Sequence, residues 1–130
     1  MTRARIQRLE DLPLQCVRPL AGLDIDRLRS EAQAAGHRTV AVDLAACGDR
    51  TAVLRALGRA LALPSWFGAN LDALYDALTD DDQFRVGSGA LVVLDALPGS
   101  DVERGALLDV FRDAAEHRAG MGAAFRVLYR

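Results

Sequence analysis

Residues 90–97, ALVVLDAL, constrain the fold more tightly than any other stretch of this chain. A strand with one wet face alternates apolar and polar residues. A nearly unbroken apolar run of strand length is instead covered on both faces or lies in a parallel sheet. Parallel neighbours cannot be joined by a tight turn and need crossovers, usually helices. The chain must therefore alternate strands with helices.

The remaining sequence fits that demand. LQCVRPL (14–20) ends in a Pro-containing stretch and reads as an edge strand, because proline cannot donate to a ladder. GLDIDRLRSEAQAAGHR sets Leu23, Leu28 and Ala32 on one side with Gly36 as a stop, a helix over about 24–35. TVAVDL (39–44) is β-branched and lies between Gly36 and Gly48, so it reads as a strand. DRTAVLRALGRALAL spaces Val53, Leu54, Leu57 and Leu61 as a helix does, and Pro64 is expected to end it just before itself. A further helix is expected over about 69–79. Residues 101–120 form another, with Asp101 as its N-cap and Gly120 as its stop. AAFRVLYR (123–130) alternates and closes the chain as a strand. The expected fold is α/β, a small and mainly parallel sheet packed with helices in the order β-α-β-α-α-β-α-β. A chain of 130 residues fits one domain with a core of its own.

The helix over 69–79 lies in the most unusual segment. LPSWFGANLDALYDALTDDDQ (63–83) holds Asp72, Asp76, Asp80, Asp81 and Asp82 and not one Lys, Arg or His. The whole chain is formally −2, this segment is −5, and the remainder is therefore +3. Leu71, Leu74 and Leu78 make a buried stripe, while Asp72, Asp76 and Asp80 make a second stripe at i, i+4, i+8. Each like-charged pair at that spacing costs about 0.2–0.5 kcal/mol. Three readings are open. The stripe is a solvated face, with arginines from elsewhere folding over it. It is a docking face for a basic partner, since Trp66, Phe67 and Tyr75 lie in the same window and aromatics beside charges anchor interfaces. Or it holds Mg²⁺ for catalysis, although the order of an EF-hand loop is absent and no nearby cation would polarise a substrate.

Other features are plainer. Cys16 and Cys47 have no disulfide or zinc spacing and are expected to be free buried thiols in a reducing cytoplasm. GSG (87–89) precedes a strand rather than a helix, so it is a turn and not a phosphate cradle. His37 and His117 each lie near a helix end, where an imidazolium can support the last carbonyls. The N-terminal residues have no continuous apolar core of the kind a signal peptide needs, and no run approaches the roughly 18 apolar residues of a membrane span. Direct nucleic-acid binding is disfavoured, because the charge concentration is acidic and repels phosphate. No cofactor, metal or membrane partner is expected.

The stretch LALPSWFGANLDALYDALTD (61–80) resembles the barstar family of intracellular ribonuclease inhibitors over its whole length without a gap. ALVVLD (90–95) and LLDVFRDAAEHRAG (107–120) are similar to the family's second strand and last helix. The resemblance covers roughly 38–129 and leaves 1–37 as an added strand and helix that would widen the sheet. It implies a protein that is not an enzyme and that plugs the active site of a small basic, barnase-type ribonuclease with this helix and the preceding loop. Carried over by position, Asp76 takes the place of an RNA phosphate and Asp72 is the second acidic contact. Trp66 stands where the family has a tyrosine and Tyr75 where it has a tryptophan. Asn70, Thr79 and Asp80 lie along the same surface, and Asp113 matches a glutamate on the last helix. The sequence departs from the pattern at Phe67, which replaces a tyrosine, at Ala69, which replaces an acid, and at Asp81, which replaces an aromatic. An immunity protein of the same fold against another toxin nuclease is the alternative partner assignment, and a metal-dependent enzyme stands third.

Overall fold

A computed structural model describes residues 8–130. After a short 3-10 turn at Leu9–Asp11, the elements are β1 (Gln15–Pro19), α1 (Ile25–Ala34), β2 (Arg38–Asp43), α2 (Arg50–Ala60), α3 (Leu71–Leu78), β3 (Gly89–Asp95), α4 (Asp101–Gly120) and β4 (Ala124–Tyr129). The order matches the alternation expected from the sequence. The four strands form one sheet in the order β1-β4-β3-β2, and every pairing is parallel.

The apolar run over 90–95 lies in β3, and its neighbours explain it. Val92 registers with Val40 on one side and Val127 on the other, so β3 is an interior strand. Ala90, Val92 and Leu94 point into a core shared with Leu54 and Leu57 of α2, Leu74 and Leu78 of α3, and Leu107, Phe111 and Ala115 of α4. Leu91 points the other way. It joins Leu128, Cys16, Leu28 and Ala32 in a smaller core roofed by α1 and the 3-10 turn. Both faces of β3 are thus buried up to Leu94, and its charged residue, Asp95, comes only at the end, where it pairs with Arg130. The N-terminal strand and helix widen the sheet as expected: β1 adds an edge beside β4, and α1 roofs the second face.

Several local expectations are corrected. The second helix does not run up to Pro64. It ends with Leu61 as C-cap and Ala62 in the left-handed region at φ 54°, where Leu63 N–H reaches the Gly58 carbonyl at 2.8 Å and Ala62 N–H the Arg59 carbonyl at 3.1 Å. This double bond satisfies the last carbonyls without help from proline. The N-cap of α4 is Ser100 rather than Asp101, since Ser100 Oγ accepts from Glu103 N–H at 3.2 Å. Gly120 is still helical, and the left-handed residue beyond the helix is Gly122 at φ 87°. Phe67 seals against α2, its ring filling the notch left by Gly58, where a Cβ would meet it at 2.9 Å.

His37 is not a charged partner of helix carbonyls. Ser88 Oγ donates to the Ala35 carbonyl at 2.8 Å, so the 2.8 Å contact between Ser88 Oγ and His37 Nδ1 uses the imidazole proton. Nε2 is then the acceptor for Arg126 Nη1 at 3.3 Å. Burial first, and the Arg126 charge second, hold His37 below its ordinary pKa. Arg126 itself donates to the Pro13 and Leu12 carbonyls, which ties the chain before β1 to β4. Both cysteines are free, but only Cys16 is buried, with its thiol pushed up by that burial; Cys47 is half-buried. Among the described residues no helix is long and apolar enough to cross a membrane.

Candidate functional site

The acidic segment begins with a loop and a cap. Pro64 accepts from Phe67 N–H at 2.9 Å in a tight turn that leaves Trp66 70% exposed, the largest aromatic surface of the loop. Ala69 takes a left-handed backbone at φ 50° and turns the chain into Asn70. Asn70 is the N-cap of α3, its Oδ1 accepting from Ala73 N–H at 2.7 Å. The helix is shorter than expected, beginning at Leu71 rather than 69. Its Leu74, Ala77 and Leu78 are fully buried, and Leu71 is half-buried.

Asp72 and Asp76 project from the opposite side of α3. Both are exposed, one turn apart, and neither has a hydrogen bond or ion pair among the described residues. Asp72 lies in the first turn, where the helix dipole favours a negative charge; Asp76 has no such support. Tyr75, half-buried between them in sequence, lines an open groove with Asp113, Glu116 and His117 of α4. The structure thus brings Tyr75 and Asp113 together across two helices.

The other three carboxylates behave differently, and here the expectation of a continuous i, i+4, i+8 stripe fails. The helix closes at Thr79, whose Oγ1 donates to the Tyr75 carbonyl at 2.9 Å, so Asp80 lies past the helix. Asp80 folds back on its own turn, accepting from Asp82 N–H at 2.9 Å and from Gln83 Nε2 at 3.1 Å. These two bonds, Gln83 first, hold its carboxyl below the usual carboxylate range. Asp81 pairs with Arg118 of α4. That arginine is 5% exposed and also donates to the Leu78 carbonyl at 2.8 Å and the Phe84 carbonyl at 2.7 Å. Only Asp82 of the three has a carboxylate facing water without a partner among the described residues.

Of the residues expected on the surface, Trp66, Asp72, Tyr75, Asp76 and Asp113 offer side chains with no hydrogen bond or ion pair among the described residues. Asn70, Thr79 and Asp80 already use theirs to shape the segment. Sequence reasoning placed His117 at a helix end but not in the groove it shares with Glu116, and it missed Glu116 and Arg118. A signal for Arg118 existed. Phe111, Ala114, Ala115 and position 118 fall on one buried stripe of α4, and a cation on an apolar stripe needs an acceptor. Among the described residues no three of His, Cys, Asp and Glu are gathered closely enough to hold a metal ion.

An all-parallel sheet of four strands, backed by helices of which one presents two carboxylates without a partner among the described residues and follows a loop with an exposed tryptophan, defines a small α/β protein with an acidic helical face. The chain belongs to the Barstar family: the family model described as Barstar (barnase inhibitor) matches residues 37–130 and leaves an N-terminal extension. Members of that family are inhibitors and not enzymes. No curated protein matches the chain.

Proposed function

We propose that this protein acts in the cytoplasm of the producing cell as the inhibitor of a small basic, barnase-type ribonuclease, masking its active site with the 64–70 loop and α3. Asp76 takes the place of an RNA phosphate among the enzyme's cations. Asp72 is the second acidic contact, Trp66 packs at the rim, and Tyr75 with Asp113 receives the enzyme from the α4 side. Asn70, Thr79 and Asp80 border the same surface and contribute by fixing its backbone.

The observation that carries this reading is the pair Asp72 and Asp76: exposed, one turn apart, and without a cation among the described residues. Two like charges at that spacing oppose the free helix slightly. They gain opposite charges only in a site built to hold phosphate, where complementary charge speeds encounter and buried pairs slow escape.

Titration of a barnase-type ribonuclease with the purified protein tests it. RNA cleavage should stop at about one-to-one stoichiometry, with or without EDTA. Asp76→Ala should weaken inhibition tenfold or more, about 1.4 kcal/mol or above, because the enzyme's cations would be buried without their counter-charge. Inhibition of a DNase but not a ribonuclease would reassign the partner. Turnover of a nucleotide by this protein, abolished by EDTA, would overturn the reading.

A further inference from the structure

We propose that Arg118 is a positioning residue for the docking face, its guanidinium setting how α3 presents Asp72, Tyr75 and Asp76 beside Asp113. This rests on the reading of α3 as the inhibitory surface.

Three acceptors from two consecutive segments converge on this one side chain. The Leu78 carbonyl belongs to the last turn of α3, and Asp81 and the Phe84 carbonyl belong to the turn that follows it. A helix leaves its final carbonyls without intrahelical donors, and its negative end favours a cation, so Arg118 serves α3 on both counts. The guanidinium is a rigid planar fork that holds several acceptors in fixed directions. It is also almost fully buried, on the stripe of α4 that carries Phe111, Ala114 and Ala115. A buried charge separated from its acceptors is strongly unfavourable, so α3 cannot slide or rotate on α4 without a large penalty.

The arrangement matters because α3 has only eight residues. A helix of two turns is marginal alone, and its direction depends on what holds its ends. Asn70 caps the first turn from within the segment, whereas Arg118 grips the last turn from another element. Asp76 lies two residues before the gripped carbonyl. The same helix that supplies the grip also supplies Asp113 to the groove facing Tyr75. One side chain therefore couples the two walls of the docking surface, while touching nothing that a partner would touch.

Arg118→Met and Arg118→Lys in the full chain decide it, with association and dissociation rates for a barnase-type ribonuclease measured per folded molecule well below the melting temperature. Arg118→Met removes a positive charge and makes the surface more acidic, so association should stay equal or quicken, while dissociation speeds tenfold or more. Arg118→Lys, whose point charge cannot span three acceptors, should fall between methionine and wild type. A lower Tm with both rates unchanged would show a structural role only, and faster association with unchanged dissociation would show an electrostatic role only; either overturns the proposal. If Arg118→Met does not fold, Asp81→Asn removes one arm of the grip and should speed dissociation a few-fold, and unchanged dissociation overturns the proposal. If the wild type does not bind the ribonuclease, the inhibitor reading is what fails. The grip is then judged by residual dipolar couplings of the α3 amides: a changed orientation against the sheet in the variant supports it, and unchanged couplings overturn it.

Discussion

The aspartates between Asp72 and Asp82 fall into two groups that the structure treats in opposite ways. On α3, Asp72 and Asp76 are exposed and have no hydrogen bond or ion pair among the described residues. In the turn that follows, Asp80 folds onto Asp82 N–H and Gln83, and Asp81 neutralises a buried arginine. The same side chain, a few residues on, changes from a surface held for something outside to a part that fastens two helices. The difference teaches that an acidic run has no single meaning. The reading that arginines fold over it holds for Asp81 alone, which Arg118 covers; the Asp82 carboxylate in the same turn has no partner among the described residues, and the helix face is what remains for a docking protein.

The comparison can be broken at the residues beneath both groups. Leu74 is fully buried under the helix, and Leu74→Ala should cost about 2–5 kcal/mol of stability in urea unfolding. Inhibition per folded molecule should be preserved. Less drastic is Asp81→Ala, which strips the counter-charge from Arg118 but leaves its two carbonyl acceptors. Because the Asp81 side chain is 75% exposed, the loss should be about 1 kcal/mol, below the usual range for a charged hydrogen bond and at the top of that for an exposed ion pair. A loss as small as that of Asp82→Ala would mean the pair is incidental.

Asp76→Ala sharpens the contrast from the other side. Removing a repulsive charge with no partner should leave stability equal or raise it by a few tenths of a kcal/mol, read from the shift in denaturation midpoint. If this variant unfolds instead, Asp76 is structural and the phosphate-mimic role falls. The smallest effect is in acid. The Asp80 carboxyl is held low in the folded protein, so its contribution is present above the carboxylate's unfolded pKa and is lost as pH falls through the folded one. Asp80→Asn should therefore flatten the acid limb of a stability–pH curve slightly.

The succession of strands and helices was legible because it rests on local periodicity. The dry run at 90–95 announced a strand covered on both faces, and β3 is one. The buried stripe of α3 followed from helical spacing alone. What could not be read depends on distant segments or on single backbone angles. Asp81 and Arg118 lie in different elements, so no spacing rule links them. The end of α2 is decided at Ala62, which adopts a left-handed angle without being glycine, and Pro64 merely follows. Neutral His37 depends on Ser88 having used its one proton elsewhere.

The placement of β1 has a consequence for synthesis. Among the described residues its one partner in the sheet is β4, with Gln15 registering against the distant Phe125. The apolar residues beneath α1 must wait for that strand before the second face of the sheet can close. Pairings so distant in sequence are slow to form and leave strand edges open meanwhile. The emerging chain therefore keeps β1 unpaired until β4 has been made, and a chaperone able to shield β1 during that interval should raise its yield more than one acting on α3.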